Sequence, residues 1–265
     1  MLLKSIHKLA KYNAHHKQYK SHYTQLSYYI FRINNQTMLL YQEIRNYIHA
    51  LLKTDAIAAG HKLPSERELQ QKFSSTRITV REALLRLEAE GLIFSQKRKG
   101  WFVTPKRLKW HPATKVNFYE LAKQQGFVAQ TTLVSVQQQA KLEICQALDA
   151  QTLYHLQRIR SLDNRAVMFE HIYCDAKRFA DFHLHPLNTS ITDIMAKQYA
   201  TNIVKEQSII NVTVLPDEVS HLLEKNSGTP CLHVIRKRFD EHGLLVDYNI
   251  EYWLHNAIEM VVDGQ

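Results

Sequence analysis

Apolar positions along this chain follow first a helical and then a mostly alternating period. Tyr41, Ile44, Ile48, Leu51 and Leu52 recur at helical spacing, which predicts a first helix ending before Ala58-Ala59-Gly60. Ser65 followed three residues later by Glu68 is a capping-box signature, so a second helix is expected to start at Ser65 with Leu69 and Phe73 inward. Thr79 and Glu82 repeat the signature and predict a third helix, whose narrow stripe is Val80, Ala83, Leu84 and Leu87 and which Gly91 stops. Leu92–Ser95 and Trp101–Thr104 read as short strands around the tip Gln96-Lys97-Arg98-Lys99-Gly100.

Beyond Pro112 the pattern turns mainly strand-like. Helices are predicted over Asn117–Gln125, Lys141–Leu148 and Ser190–Tyr199, and from Pro216 to near Lys225. Strands are predicted over Phe127–Ala140, Thr152–Leu162, Ala166–Cys174, Asn202–Leu215, Leu232–Glu241, Leu244–His255 and Ala257–Asp263. Hairpin-joined strands with segregated helices give an α+β domain around an antiparallel sheet. Helix, helix, turn, helix and two-stranded hairpin is the order of a winged helix-turn-helix, mostly α with a β wing. The chain therefore divides into a basic extension at 1–37, a winged-helix module at 38–104, a linker at 105–112 carrying Pro105 and Pro112, and an α+β domain at 113–265.

Charge sharpens this division. The net formal charge is +9, but residues 1–37 contribute +6, residues 38–112 contribute +7, and residues 113–265 contribute −4. A basic front and an acidic back point to a nucleic-acid module joined to something else. The extension is basic and acid-free without a cleavable apolar core, and reads as a disordered arm on phosphates or as sequence preceding a native start at Met38. No apolar run approaches the roughly 18–20 residues of a membrane span, so a soluble, cytoplasmic protein is expected. Cys145, Cys174 and Cys231, odd in number and far apart, make neither a disulfide scaffold nor a CxxC site, and are expected as reduced buried thiols.

The candidate chemistry follows the same division. Arg77 and Arg81 lie just before and within the first turn of the predicted third helix, where guanidinium forks suit guanine edges or phosphates. Thr76 and Thr79 are short donors beside them, and Lys97, Arg98 and Lys99 at the hairpin tip suit the backbone or minor groove. In the second half there is no GxSxG, HExxH, P-loop or GxGxxG, so no enzyme activity and no cofactor are expected. His183 and His185, read on a strand, lack a third ligand, so no metal is expected. Arg158 and Arg160 share one face of a predicted strand, and Glu170 on the next strand is their candidate partner. That cluster reads as a surface ion-pair ladder or as an anion pocket.

The motifs Leu63-Pro64-Ser65-Glu66-Arg67-Glu68-Leu69, Thr76-Arg77-Ile78-Thr79-Val80-Arg81-Glu82-Ala83-Leu84, Leu87-Glu88-Ala89-Glu90-Gly91-Leu92-Ile93 and Gly100-Trp101-Phe102-Val103 resemble the DNA-binding domain of the GntR family of bacterial transcription regulators. The resemblance implies operator contacts by Arg67, Arg77 and Arg81. It also implies a wing in which Gly100 remains and Arg98 replaces the other usual glycine. More loosely, 113–265 is similar to the UTRA effector domain of the HutC subfamily, which has a chorismate lyase-like fold. That similarity rests on Leu156-Gln157-Arg158-Ile159-Arg160, Glu170-His171-Ile172-Tyr173, Ser190-Ile191-Thr192 and Gly228-Thr229-Pro230-Cys231-Leu232. It implies effector contacts by Phe118, Arg158, Arg160, Glu170, Ser190, Asp247 and Trp253, with Thr192 where the family often has tyrosine. Tyr119 replaces a small hydroxyl residue of phosphosugar sensors, and its ring is expected to block that phosphate cradle.

The expected protein is a ligand-responsive, sequence-specific regulator, a repressor released by a small anionic effector. It is expected to act as a homodimer on a double-stranded operator with an inverted repeat. The alternatives are a ligand-independent DNA-binding protein and a lyase-like enzyme domain tethered to DNA.

Overall fold

The computed structural model describes residues 39–51, 58–96, 98–112 and 117–263. The extension at 1–37, Met38 and Lys97 lie outside the described residues. Within them the chain forms two compact units. Residues before Ala59 with Leu63–Glu88 make one, and Ala59–Lys62 with Ala89 onward make the other.

The first unit is helical. Helix α1 covers residues 39–51; of the predicted face Ile44 and Ile48 are buried and Tyr41 and Leu51 half-buried, Leu52 lies outside the described residues, and Leu40 is buried beside them. Ser65 caps α2 (Glu66–Lys72): its Oγ accepts the Glu68 amide, and the Glu68 carboxylate accepts the Ser65 amide at 2.7 Å. Two otherwise orphaned amides are satisfied reciprocally. Helix α3 (Arg77–Ala89) starts earlier than the Thr79–Glu82 signature predicts. Thr76 takes the cap instead, with its Oγ1 accepting the Thr79 amide at 3.2 Å and sharing a 2.8 Å hydrogen bond with the Thr79 hydroxyl. The two threonines compete for one role. The chain leaves α2 through Ser74 at a left-handed φ of 47° and re-enters helix after Thr76. Val80, Ala83, Leu84 and Leu87 of α3 are buried, and burial of each larger member contributes roughly 1.5–3 kcal/mol.

The second unit is built on a six-stranded antiparallel sheet in the order β4–β5–β6–β9–β8–β7. Its strands are β4 (Ala129–Gln139), β5 (Leu153–Leu162), β6 (Arg165–Asp175), β7 (Lys205–Val214), β8 (Pro230–Phe239) and β9 (Leu245–Leu254). Asp163 and Asn164, both at positive φ, form the two-residue turn between β5 and β6, and a one-residue register shift between Ser161 and Arg160 then brings Arg158 opposite Glu170. On the same face Glu170 pairs with Glu251, and Arg238 pairs with both Asp247 and Glu206. Helix α6 (Ile191–Tyr199) covers this face, with Ile191, Ile194 and Met195 packed on Leu156, Ile172 and Cys174. Ser190 caps it by accepting the Asp193 amide. On the opposite face α5 (Leu142–Leu148) packs its Ile144, Cys145 and Leu148 near Leu153 and Tyr173. His155 Nε2 and His171 Nδ1 meet there at 2.9 Å. The helices α4 (Phe118–Gln124) and α7 (Asp217–Leu222) complete the unit.

Three features add to the sequence reading. The segment 105–112, expected as a linker, contains strand β3 (Leu108–Trp110), which pairs in parallel with β10 (Ile258–Met260). Gln125 anchors it further, its side chain bonding both the amide and the carbonyl of Lys109. The hairpin of β1 (Ile93–Gln96) and β2 (Gly100–Val103) groups with the second compact unit. Lys225 Nζ donates to the Ser95 carbonyl at 2.5 Å, and the Arg165 guanidinium stacks 4.3 Å from the Phe94 ring centroid. Gly91 is required where the chain enters this hairpin: at φ 75°, a Cβ would lie 2.6 Å from Arg107 Nη2. Lastly, His183 and His185 lie on and just after a 3₁₀ turn, Phe182–Leu184. They bond the Tyr154 and Tyr199 hydroxyls, and among the described residues no cluster suits a metal ion.

Candidate functional site

Between α6 and the charged sheet face lies a cavity of about 310 Å³, a size typical of small-molecule sites. Of the eight sequence-predicted ligand residues, Phe118, Arg160, Glu170, Ser190, Thr192 and Trp253 line it. Arg158 and Asp247 do not, and serve beneath the floor. Arg158 is fully buried: its Nε donates to Glu170 Oε1 at 2.8 Å, and its Nη1 donates to the carbonyls of Leu187 and Thr189. It therefore ties the loop before α6 to the sheet. Asp247 accepts from the Asn249 amide and pairs with Arg238 Nε at 3.2 Å, within the buried layer.

Burial resolves the earlier choice against a surface ladder. Arg160 Nε donates to the same Glu170 oxygen at 2.9 Å, so one carboxylate serves two guanidinium groups. Burial alone would raise the Glu170 pKa, but Arg158 and then Arg160 outweigh it and hold it at about 2. Burial likewise draws Arg158 down to about 10, still far above neutrality. The terminal nitrogens of Arg160 make no hydrogen bond within the described residues, and its guanidinium lies 4.8 Å from the Phe118 centroid. Ser190 Oγ accepts from Asn117 Nδ2 at 2.7 Å and meets the Thr192 hydroxyl at 3.2 Å. Two guanidinium nitrogens, hydroxyls and the N-terminus of α6 suit an anion.

Tyr119 is not among the residues lining the cavity, but its ring lies 5.7 Å from the Arg160 guanidinium, beside Phe118. The Tyr119 hydroxyl donates to the Asn188 carbonyl at 2.9 Å and shares a 2.6 Å hydrogen bond with the Thr131 hydroxyl.

Sequence reasoning missed the far side of the cavity. Arg236 donates to Glu251 through Nε at 2.7 Å and Nη2 at 3.1 Å, and to Glu206 through Nη1 at 3.2 Å. Trp253 Nε1 also donates to Glu251. Burial would raise Glu251, but Arg236 outweighs it and lowers its pKa; the same pair raises Arg236 against its own burial. Asp247, in contrast, is raised, chiefly by burial. The missing signal was present in the sequence. Arg236 and Arg238, two apart across a hairpin from Asp247 and Glu251, repeat the spacing that drew attention to Arg158 and Arg160.

A second candidate surface lies on the helical unit. Arg67, Thr76, Arg77 and Arg81 are all exposed around the start of α3, with Thr79 half-buried beside them. The first turn of α3 holds no acidic residue, so the positive end of its dipole is unopposed there. Arg77 is 73% exposed while its Nε donates to Glu66 at 3.0 Å, which fixes the stem of the side chain. Ile78, 75% exposed between them, escaped sequence reasoning because its motif neighbours carry the charge; an exposed apolar side chain there suits a thymine methyl. On the hairpin tip Arg98 and Lys99 are exposed, and Gly100 is half-buried. Arg98 takes φ 64°, a left-handed conformation that glycine adopts without strain.

Residues 40–103 match the gntR family of bacterial regulatory proteins, and residues 124–259 match the UTRA domain. The HTH-type transcriptional regulator YihL of Escherichia coli K12 is 30% identical over 217 residues, covering 80% of this chain and 92% of the relative. The HTH-type transcriptional repressor NagR of Bacillus subtilis is 22% identical over 221 residues, covering 82% of this chain and 91% of the relative. The crystal structure of PhnF from Mycobacterium smegmatis is similar with a TM-score of 0.59 at 19% identity, covering 85% of this chain and 99% of that one, a likeness of fold.

Proposed function

This chain belongs to the gntR family of bacterial regulatory proteins and carries a UTRA domain, and we propose that it is a repressor released from its operator by a small molecule in the α6 cavity. The observation that carries the reading is the buried Arg158–Glu170–Arg160 cluster beneath a small-molecule-sized cavity. Arg158 holds both the cavity floor and, through Leu187 and Thr189, the loop that delivers Ser190. A ligand on Ser190 and Arg160 thereby acts on loop and sheet together, the differential contact that a ligand-driven shift requires.

DNA recognition is assigned to Arg67, Thr76, Ile78, Thr79 and Arg81, with Arg77 anchored by Glu66, and to Arg98 and Lys99 of the hairpin. A homodimer presenting two such heads reads an inverted repeat, because two-fold protein symmetry imposes operator symmetry. Among the described residues no helix is long and apolar enough to cross a membrane, and action in the cytoplasm fits a DNA-binding partner. The cavity is assigned to binding rather than to catalysis. Glu170 and Glu251 are held ionised by arginines, far from the near-neutral range where a general acid or base works.

The test uses full-length protein and an operator selected from randomised duplex DNA. A metabolite library screened by thermal shift yields compounds that stabilise the protein and weaken operator binding in fluorescence anisotropy. Arg160→Ala loses that response and keeps DNA binding. A protein that binds its operator with an affinity no compound alters is instead a ligand-independent DNA binder, and the effector reading falls.

A further inference from the structure

The charges on the cavity floor are not evenly mixed. At the β5 side Arg158 and Arg160 share one carboxylate, Glu170, which leaves a surplus of one positive charge. At the β7 side Arg236 is shared by two carboxylates, Glu251 and Glu206, which leaves a surplus of one negative charge. Arg238 and Asp247 cancel between them. These ends are four strand spacings apart, roughly 19 Å at the backbone. The groups left over follow the same polarity. At one end the terminal nitrogens of Arg160 make no hydrogen bond within the described residues. At the other, Glu206 Oε2 accepts a single 3.2 Å bond from Arg236, and its Oε1 accepts none within the described residues. Glu251, by contrast, is saturated by three donors. Asp193 of α6 also faces the cavity and adds to its negative charge, so a ligand bearing only anionic groups meets unfavourable charge over part of the lining.

We propose that the ligand of this cavity is elongated and dipolar, with a phosphate or carboxylate on Arg160 and Ser190 and a protonated amine on Glu206 at the far end. Glu206 is then the specificity-determining residue, since it separates amine-bearing anions from their plain counterparts. This rests on the reading of the cavity as an effector site. Two charge-assisted contacts at opposite ends favour one orientation and penalise a ligand that leaves either end unpaired.

The experiment is calorimetric titration of full-length protein with pairs that differ only in the amine. The pairs are ω-aminohexyl phosphate against hexyl phosphate, ω-aminohexanoate against hexanoate, and glucosamine 6-phosphate against glucose 6-phosphate. The first two pairs separate phosphate from carboxylate as the anion. The amine-bearing member is expected to bind about tenfold more tightly in at least one pair. Glu206→Gln, which keeps size and removes charge, is expected to erase that preference while amine-free binding persists. Glu206→Asp serves as a second variant, expected to keep a reduced preference. Equal or tighter binding of the plain anion in every pair overturns the dipolar assignment and leaves the effector reading standing. A preference unchanged in Glu206→Gln removes Glu206 from the role. If no probe binds, the dipolar assignment falls, while the effector reading is decided separately by the metabolite-library screen.

Discussion

Two groups of arginines do different work here. Those at the start of α3 and on the hairpin tip are exposed, and Arg77 alone among Arg67, Arg77, Arg81 and Arg98 has an ion-pair partner within the described residues. Those on the sheet face, Arg158, Arg160, Arg236 and Arg238, are largely buried, and each pairs with a carboxylate. The exposed set stays hydrated, so it adds little to stability and is available to a polyanion, whose counterions it displaces. The buried set has already lost its water, so each charge depends on its partner, and what remains unpaired is placed for one ligand. The same residue type thus serves affinity in one region and discrimination in the other.

The strongest way to break the comparison is to remove a buried partner. Glu170→Ala leaves Arg158 charged, buried and without its carboxylate, and is expected to cost about 3–5 kcal/mol in urea unfolding. Arg81→Ala, at an exposed site, is expected to stay within about 0.5 kcal/mol of wild type. Similar losses would erase the distinction.

Acid titration sharpens it next. The His155 and His171 pKa values are lowered from 6.5 to about 4, chiefly by burial, so between those pH values the unfolded chain binds more protons than the folded one. Stability is therefore lost as pH falls from 6.5 towards 4, by on the order of 2 kcal/mol. A second loss follows as pH falls from about 4.5 to 2, where Glu170 at last takes its proton. The check is unfolding free energy against pH. His171→Gln is expected to flatten the upper window and Glu170→Gln the lower one, while Arg81→Ala changes neither.

On DNA the order reverses. Arg81→Ala is expected to weaken operator binding by about 1–3 kcal/mol if it reads a base, or to reduce the salt dependence by about one phosphate contact. Arg160→Ala leaves apo-protein binding to DNA unchanged in the same anisotropy titration. The smallest effect concerns Arg98. Replacing it with glycine relieves the left-handed φ, so thermal unfolding is expected to show a gain of about 0.5 kcal/mol while operator affinity falls.

Much of this was legible from short-range signals. The α1 face, the Ser65 capping box and the α3 stripe each depend on residues within about two helical turns, and each formed as the spacing predicts. The Arg158–Glu170 pair was legible as neighbours on two strands of one hairpin, but a one-residue register shift past Arg160, which the turn does not encode, sets them opposite each other. Local signals failed where two readings fit equally, as at Thr76 and Thr79, and where distant partners decided the outcome. Leu108–Trp110 looks like linker until β10, some 150 positions later, supplies its hydrogen bonds.

By itself, then, the sequence determined the elements, the two chemistries and the positions of the charges, because period, caps and hairpin turns are local. Tertiary structure alone decided which charges were left over. Glu206 reads as an ordinary polar position on an alternating strand, and Arg160 as an equal partner to Arg158. Only the order β5–β6–β9–β8–β7 brings residues of five strands around one cavity. That order gives two arginines to one glutamate at one end and two glutamates to one arginine at the other. Pairing across a sheet is set by topology and register, and in a buried layer the uneven count of partners decides what a ligand must supply.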